Sequence, residues 1–141
     1  MIFKIFYIIY IEKKKKGNVM NMGYRSEVAI AMKKSDFEEL EARVKIDNRE
    51  EVANLLEAND NFVDRGDIII IRWDWVKWYE EYTDVRYIED YLCELNEQGH
   101  PYSFVRVGES YDDIDERISF GEDGNDYSCD VVHFFRGIDI D

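Results

Sequence analysis

Eight acidic side chains between positions 109 and 126 form the strongest candidate for chemistry in this sequence. Arg117 is the only basic residue among them. Closely spaced carboxylates can bind a hard cation such as Mg²⁺ or Ca²⁺, or imitate a row of phosphates and pair with lysine and arginine. They can also serve only to keep turns solvated. The eight residues are Glu109, Asp112, Asp113, Asp115, Glu116, Glu122, Asp123 and Asp126.

The spacing of these acids does not favour a metal site. The segment from Asp123 to Asp126 lacks the ordered ligand series and the terminal glutamate of an EF-hand loop. We therefore predict no metal and keep a small metal-dependent nuclease or phosphatase, using the same cluster, as an alternative function.

Trp75 and Trp78 supply aromatic side chains that could bind a partner. They follow four consecutive isoleucines, which are typical of a strand buried on both faces, and the later alternation predicts Trp73 and Trp75 on one face. Single-strand nucleic-acid binders stack bases on such rings but also need a positive groove, and only Arg72 and Lys77 are near. Of the four neighbouring rings, Trp73, Trp75, Trp78 and Tyr79, we interpret two as core and any that stays exposed as a protein-docking anchor.

The other residue types with reactive side chains suggest no enzyme. Cys93 and Cys129 are too few for a disulfide framework and form no Cys-x-x-Cys pair. On one strand, Cys129 and His133 would lie roughly 13 Å apart. Common phosphate-loop, nucleophile-elbow and zinc-helix motifs are absent from the sequence. We predict no catalytic residue and no cofactor, and a reducing cytoplasm as the location.

The overall charge of the chain indicates the sign of the partner's charge. The chain has 32 acidic and 18 basic side chains, a formal charge of −14, and residues 23–141 hold 31 of the acids but only 13 of the bases. Such a surface repels polyanions and attracts basic proteins, which argues against direct binding of nucleic acid or of an anionic membrane. A structural or regulatory homodimer remains an alternative.

The first residues differ in composition from the rest. Residues 1–11 are apolar except for Lys4, too short a run to span a bilayer, and a run of four lysines follows. Codons for Lys-Lys-Gly ahead of Met20 and Met22 would be purine-rich, as in a ribosome-binding site. We therefore predict that residues 1–21 are an extension of translated upstream sequence and that residues 22–141 form one acidic domain.

Apolar periodicity and turn residues predict an α+β fold. A strand is predicted over residues 25–32, and start signals at Ser35, Asp47 and Asp84 predict three helices, the last ending at Gly99. After the only proline, the runs 102–107, 114–120 and 129–138 predict a three-strand meander. The simplest architecture that accommodates these elements is a single, mainly antiparallel sheet of about five strands with the helices on one face.

Several short motifs resemble small proteins encoded by bacteriophages and prophages. The resemblance spans most of residues 22–138 and implies a start at Met20 or Met22. Small acidic phage proteins are often inhibitors of host defence, including anti-CRISPR and anti-restriction proteins, so the resemblance implies that context but no catalytic residue. The motifs are Met-Gly-Tyr-Arg-Ser-Glu-Val-Ala at 22–29, Val-Lys-Trp-Tyr at 76–79, Asp-Val at 84–85, Phe-Val-Arg-Val-Gly-Glu at 104–109 and Asp-Asp-Ile at 112–114.

Together these observations predict an acidic protein-binding module. The most specific version of this hypothesis is a phage-encoded inhibitor that occupies the basic, nucleic-acid-binding surface of a host defence complex. The predicted contact residues are the eight carboxylates together with Trp75 and Trp78.

Overall fold

The computed structural model describes residues 23–134 and 138–140. The predicted extension at residues 1–21 lies outside the described residues. In chain order the elements are β1 (Ser26–Lys33), α1 (Lys34–Ile46), α2 (Glu50–Glu57), β2 (Asn61–Asp64), β3 (Ile68–Val76), α3 (Thr83–Glu97), β4 (Tyr102–Val107), β5 (Ile114–Ser119), β6 (Val132–Phe134) and β7 (Ile138–Ile140).

Five strands form one antiparallel sheet in the order β2-β3-β1-β4-β5. The helices pack on one face, where Leu40, Val52 and Leu92 contribute to a core with Ile30 and Trp73 of the sheet. Removing each large apolar side chain from water stabilises the fold by about 1.5–3 kcal/mol. The predicted α+β class, the five-strand antiparallel sheet and the placement of the helices on one face are confirmed.

The four consecutive isoleucines lie in a strand that is buried on both faces. Ile69 and Ile71 belong to the core beneath the helices, whereas Ile68 and Ile70 belong to a second core on the opposite face. This double burial requires a second covering layer, and the C-terminal segment provides it.

The C-terminal segment does not continue the sheet as the predicted meander required. β4 and β5 pair as expected, but β6 pairs with β7, and this hairpin contributes Val132 and Ile138 to the second core with Ala29 and Val105. The prediction of a third meander strand over residues 129–138 is therefore wrong. The fifth strand of the sheet is β2, a short and mostly exposed segment without the apolar run that would identify it.

A β-bulge in β3 separates the two tryptophans that were predicted to share a face. Ser26 lies opposite Val76 but Val28 lies opposite Trp73, so β3 has one more residue than β1 over this stretch. Trp73 packs beneath the helices, whereas Trp75 packs against the core under the C-terminal hairpin. The predicted shared face is wrong because the extra residue reverses the alternation.

Helix ends agree with the sequence signals only in part. α1 and α3 begin at Lys34 and Thr83, and no side chain caps either one, so the predicted caps at Ser35 and Asp84 are wrong. The predicted stop at Gly99 is confirmed: its φ is 72°, and the His100 amide donates to the Leu95 carbonyl oxygen at 2.9 Å, as in a Schellman motif.

Candidate protein-interaction surface

Among residues 23–134, five arginines are at least partly buried and contact carboxylates of the same chain. A guanidinium that donates two hydrogen bonds to one carboxylate forms a strong and directional pair. Arg106 and Arg117 each make such a bidentate contact, the first with Asp113 and the second with Glu89. The five pairs are Arg43–Glu94 at 2.6 Å, Arg49–Glu51 at 2.5 Å, Arg72–Glu27, Arg106–Asp113 at 2.7 Å and Arg117–Glu89 at 2.7 Å.

These internal contacts leave an unbalanced surface. Within residues 23–134, seventeen acidic residues are exposed, against three exposed basic residues, Lys45, Arg65 and Arg86. The ratio of acids to bases is therefore higher among the exposed residues, seventeen to three, than in the composition, 32 to 18, because many of the arginines lie inward against carboxylates.

The eight predicted carboxylates are not equivalent in the structure. Only four of them are exposed: Asp112, Glu116, Glu122 and Asp123. Because the negative charge of the other four is either buried or paired, we take these four exposed acids as the acidic part of the candidate surface.

Glu109 does not belong to the surface at all. Its side chain is only 1% exposed, and Oε1 accepts a hydrogen bond from the backbone amide of Arg25 at 2.7 Å. The prediction that Glu109 contacts a partner is therefore wrong, because the residue lies beside the start of β1 and is covered.

Three further carboxylates are partly exposed but have partners within the chain. Hydrogen bonds from Arg106 hold the pKa of Asp113 below its usual value, and Asp115 lies 3.4 Å from Arg117. The Ser128 hydroxyl and amide likewise lower the pKa of Asp126, which also lies 3.7 Å from Lys33. These acids hold turns and strands together.

The four exposed acids are spread along β5 and the turns at its two ends, and they do not converge on one point. Asp112 precedes this six-residue strand, Glu116 lies in it, and Glu122 and Asp123 follow it. A strand of this length separates its ends by roughly 20 Å. Across the described ranges no group of three or more His, Cys, Asp or Glu residues is arranged to hold a metal ion.

Neither of the two predicted tryptophan anchors is a fully exposed side chain. Trp78 is 6% exposed, its ring centroid lies 5.3 Å from that of Trp73, and its indole N–H donates to Glu89 Oε1 at 2.9 Å. Trp75 is half-buried against the second core. The prediction of an anchor at Trp78 is wrong because this ring completes the core under the helices.

Two exposed tyrosines, neither of them predicted as a contact residue from the sequence, are chain neighbours of two of the eight predicted carboxylates. Tyr111 is 93% exposed beside Asp112, and Tyr127 is 62% exposed beside Asp126. Each lies in a turn next to an aspartate. This tyrosine–aspartate pair is the only feature of the sequence that could have indicated an exposed aromatic residue here.

A shallow acidic depression of about 490 Å³ lies at the end of β5, with Phe120, Glu122, Asp123 and Asp126 among its lining residues. It is open to solvent and adjoins Lys33, whose ammonium group lies near Asp126. Three of its lining residues are carboxylates, so the depression attracts cationic groups.

Comparison of the chain with protein-family models, with curated proteins and with solved structures gave no match. None of the helices described here combines the length and apolar character that crossing a membrane demands. The surface charge is the feature that most directly indicates a class of partner.

Proposed function

We propose that this protein is an acidic binding module that occupies the basic, nucleic-acid-binding surface of another protein. The observation that supports it is the surface imbalance of seventeen exposed acids against three exposed bases within residues 23–134. Carboxylates pair with lysine and arginine through the charge-assisted hydrogen bonds that phosphates also form. In the specific form we propose, the module is phage-encoded, acts in the bacterial cytoplasm and inhibits a host defence complex, in keeping with the motif resemblance described above.

The internal arginine pairs explain how the surface keeps its charge. Arg106 and Arg117 lie next to the candidate surface, but their guanidinium groups are bound to Asp113 and Glu89. They therefore cannot turn outward to neutralise the four exposed acids without breaking bidentate contacts. The exposed acids remain available to cations of a partner.

The energetics require many contacts at once. A single exposed ion pair contributes about 0–1 kcal/mol, so tight binding needs several pairs or an additional anchor. Because salt screens such pairs, the affinity should fall steeply as ionic strength rises.

The test compares two variants with the same change in net charge. The first carries D112N, E116Q, E122Q and D123N along β5, and the second carries E38Q, E41Q, E57Q and E97Q, which are exposed glutamates of the helices. Each full-length protein is added to a purified CRISPR nuclease bound to fluorescent duplex DNA, and release of the DNA is measured at low and high salt.

We expect the unaltered protein and the helix variant to release the DNA at low salt and the β5 variant to do so poorly. Release that is equal for all three proteins and insensitive to salt would contradict the charge mechanism. The same proteins, produced in bacteria that carry the defence system, should restore phage plating in the same order.

A further inference from the structure

We propose that Tyr111 and Asp112 form an arginine-binding anchor on this surface, in which the phenol ring stacks on a guanidinium group that Asp112 neutralises. The inference rests on the proposed function. It names the contact through which the surface would prefer arginine over lysine. Tyr111 is 93% exposed, the largest exposure among the large hydrophobic residues described, and Asp112 beside it is also exposed.

The turn that carries these two residues is fixed by its own backbone. The Gly108 amide donates to the Asp113 carbonyl oxygen at 2.8 Å, and the Asp113 amide donates to the Ser110 carbonyl oxygen at 3.0 Å. These bonds close the chain around Tyr111 and Asp112, which lie at the tip.

Side chains from outside the turn fix it further. The Tyr24 hydroxyl accepts a hydrogen bond from the Ser110 amide at 3.0 Å and donates one to Asp113 Oδ2 at 2.5 Å. Arg106 donates to both oxygens of Asp113, at 3.0 and 2.7 Å. A binding turn that is already ordered loses little conformational entropy when a partner docks.

The contacts that fix the turn do not cover Tyr111. Its ring faces water, although burying an aromatic ring at an interface is favourable and tyrosine is enriched among interface hot spots. A rigid turn with an exposed ring at its tip has the properties of a preformed anchor.

The charge around the ring selects arginine as its partner. Asp112 contributes an exposed carboxylate, and the guanidinium of Arg106, which contacts this turn, is held by Asp113. An incoming arginine can stack its planar guanidinium on the ring and donate to the carboxylate at the same time, whereas the compact ammonium of lysine cannot do both equally well. The anchor therefore fits a protein surface rich in arginine.

The test uses the full-length protein with two synthetic probes, hexa-arginine and hexa-lysine, and measures both dissociation constants by calorimetry at low salt. We expect hexa-arginine to bind more tightly than hexa-lysine. Y111A should weaken hexa-arginine binding by roughly two- to five-fold with little effect on hexa-lysine. Y111F, which keeps the ring, should retain the preference, and Y127A, which removes another exposed tyrosine, should leave it unchanged.

The outcomes separate the anchor from the proposed function. If both peptides bind but Y111A leaves the arginine preference intact, or Y127A removes it equally well, the anchor is overturned and the proposed function stands. If neither peptide binds the unaltered protein, both proposals fail.

Discussion

The hydroxyl of Tyr24 donates a 2.5 Å hydrogen bond to Asp113 Oδ2, a contact between residues 89 positions apart in the chain. Tyr24 is itself positioned by Tyr79, whose hydroxyl accepts a hydrogen bond from the Tyr24 amide at 2.6 Å. The residues just before β1 thus determine the shape of the turn between β4 and β5. That turn carries the most exposed tyrosine of the candidate surface.

Removing the Tyr24 hydroxyl should loosen this turn. In Y24F, Asp113 loses a donor and the Ser110 amide loses its acceptor. Because hydrogen bonds to charged groups contribute about 1.5–3 kcal/mol and this site is only partly buried, we expect the free energy of unfolding to fall by about 1–2 kcal/mol. Urea denaturation measures the loss, and hydrogen exchange of the Ser110 amide should become faster. The control is Y127F at an exposed site, and equal stability of Y24F and the unaltered protein would contradict the assigned role.

Gly108 should not accept any side chain. A Cβ atom at this position would overlap the carboxylate of Asp113 and the hydroxyl of Tyr24. We expect G108A to destabilise the protein by about 2 kcal/mol or more, because overpacking combines with broken hydrogen bonds.

The matched control for Gly108 is Gly66, which has open space around it but a φ of 95°. G66A should destabilise the β2–β3 turn through backbone strain of about 1 kcal/mol and leave the β4–β5 turn intact. Affinity for hexa-arginine separates the two variants: it should fall in G108A and stay unchanged in G66A. A fall in both, or in neither, would contradict this account of Gly108.

Arg117 links the edge strand β5 to helix α3. It donates to both oxygens of Glu89, at 2.7 and 2.9 Å, and its guanidinium carbon lies 3.9 Å from the ring centroid of Phe104. R117K keeps the charge but loses the bidentate geometry and the planar stack, so we expect a loss of about 1–2 kcal/mol in unfolding free energy.

A double-mutant cycle with E89Q tests this link directly. Because both residues belong to one network, the effects of R117K and E89Q should be non-additive by about 0.5 kcal/mol or more. Additive effects would show that the pair is not coupled. R86K is the control, since Arg86 and Asp90 form an exposed pair at 4.0 Å that should contribute less than about 0.5 kcal/mol.

Glu27 should give the protein a pH-dependent stability near neutrality. Its side chain is 0% exposed beneath the C-terminal hairpin, and burial raises its pKa to about 7 although Arg72 acts in the opposite direction. The folded state therefore binds this proton more tightly than the unfolded state. The contribution to stability is fully present below about pH 4.5 and is lost as the pH rises through about 7.

Comparison with E27Q isolates this effect from the other carboxylates. Between pH 4.5 and pH 8, the unaltered protein should lose stability relative to E27Q by on the order of 3 kcal/mol, measured by urea denaturation across that range. A constant difference between the two proteins over the same pH range would exclude a raised pKa at Glu27.

Much of the fold could be predicted because it depends on local patterns. Ile68 to Ile71 indicate a doubly buried strand, Gly99 ends α3, and β4 extends over residues 102–107 as predicted. Each of these features depends on residues within a few positions of one another. The bulge in β3, the pairing of β2 and the C-terminal hairpin depend on contacts between distant segments, so no local pattern shows them.

The sequence by itself determined the sign of the surface charge, because net charge is a sum over residues and needs no folded structure. Only the tertiary structure decided which charges and rings meet solvent. Contacts across the fold buried Glu109 and Trp78 and bound Arg106 to Asp113, while they left Tyr111 exposed. Exposure depends on which distant segments pack together, and the spacing of residues along the chain does not contain that information.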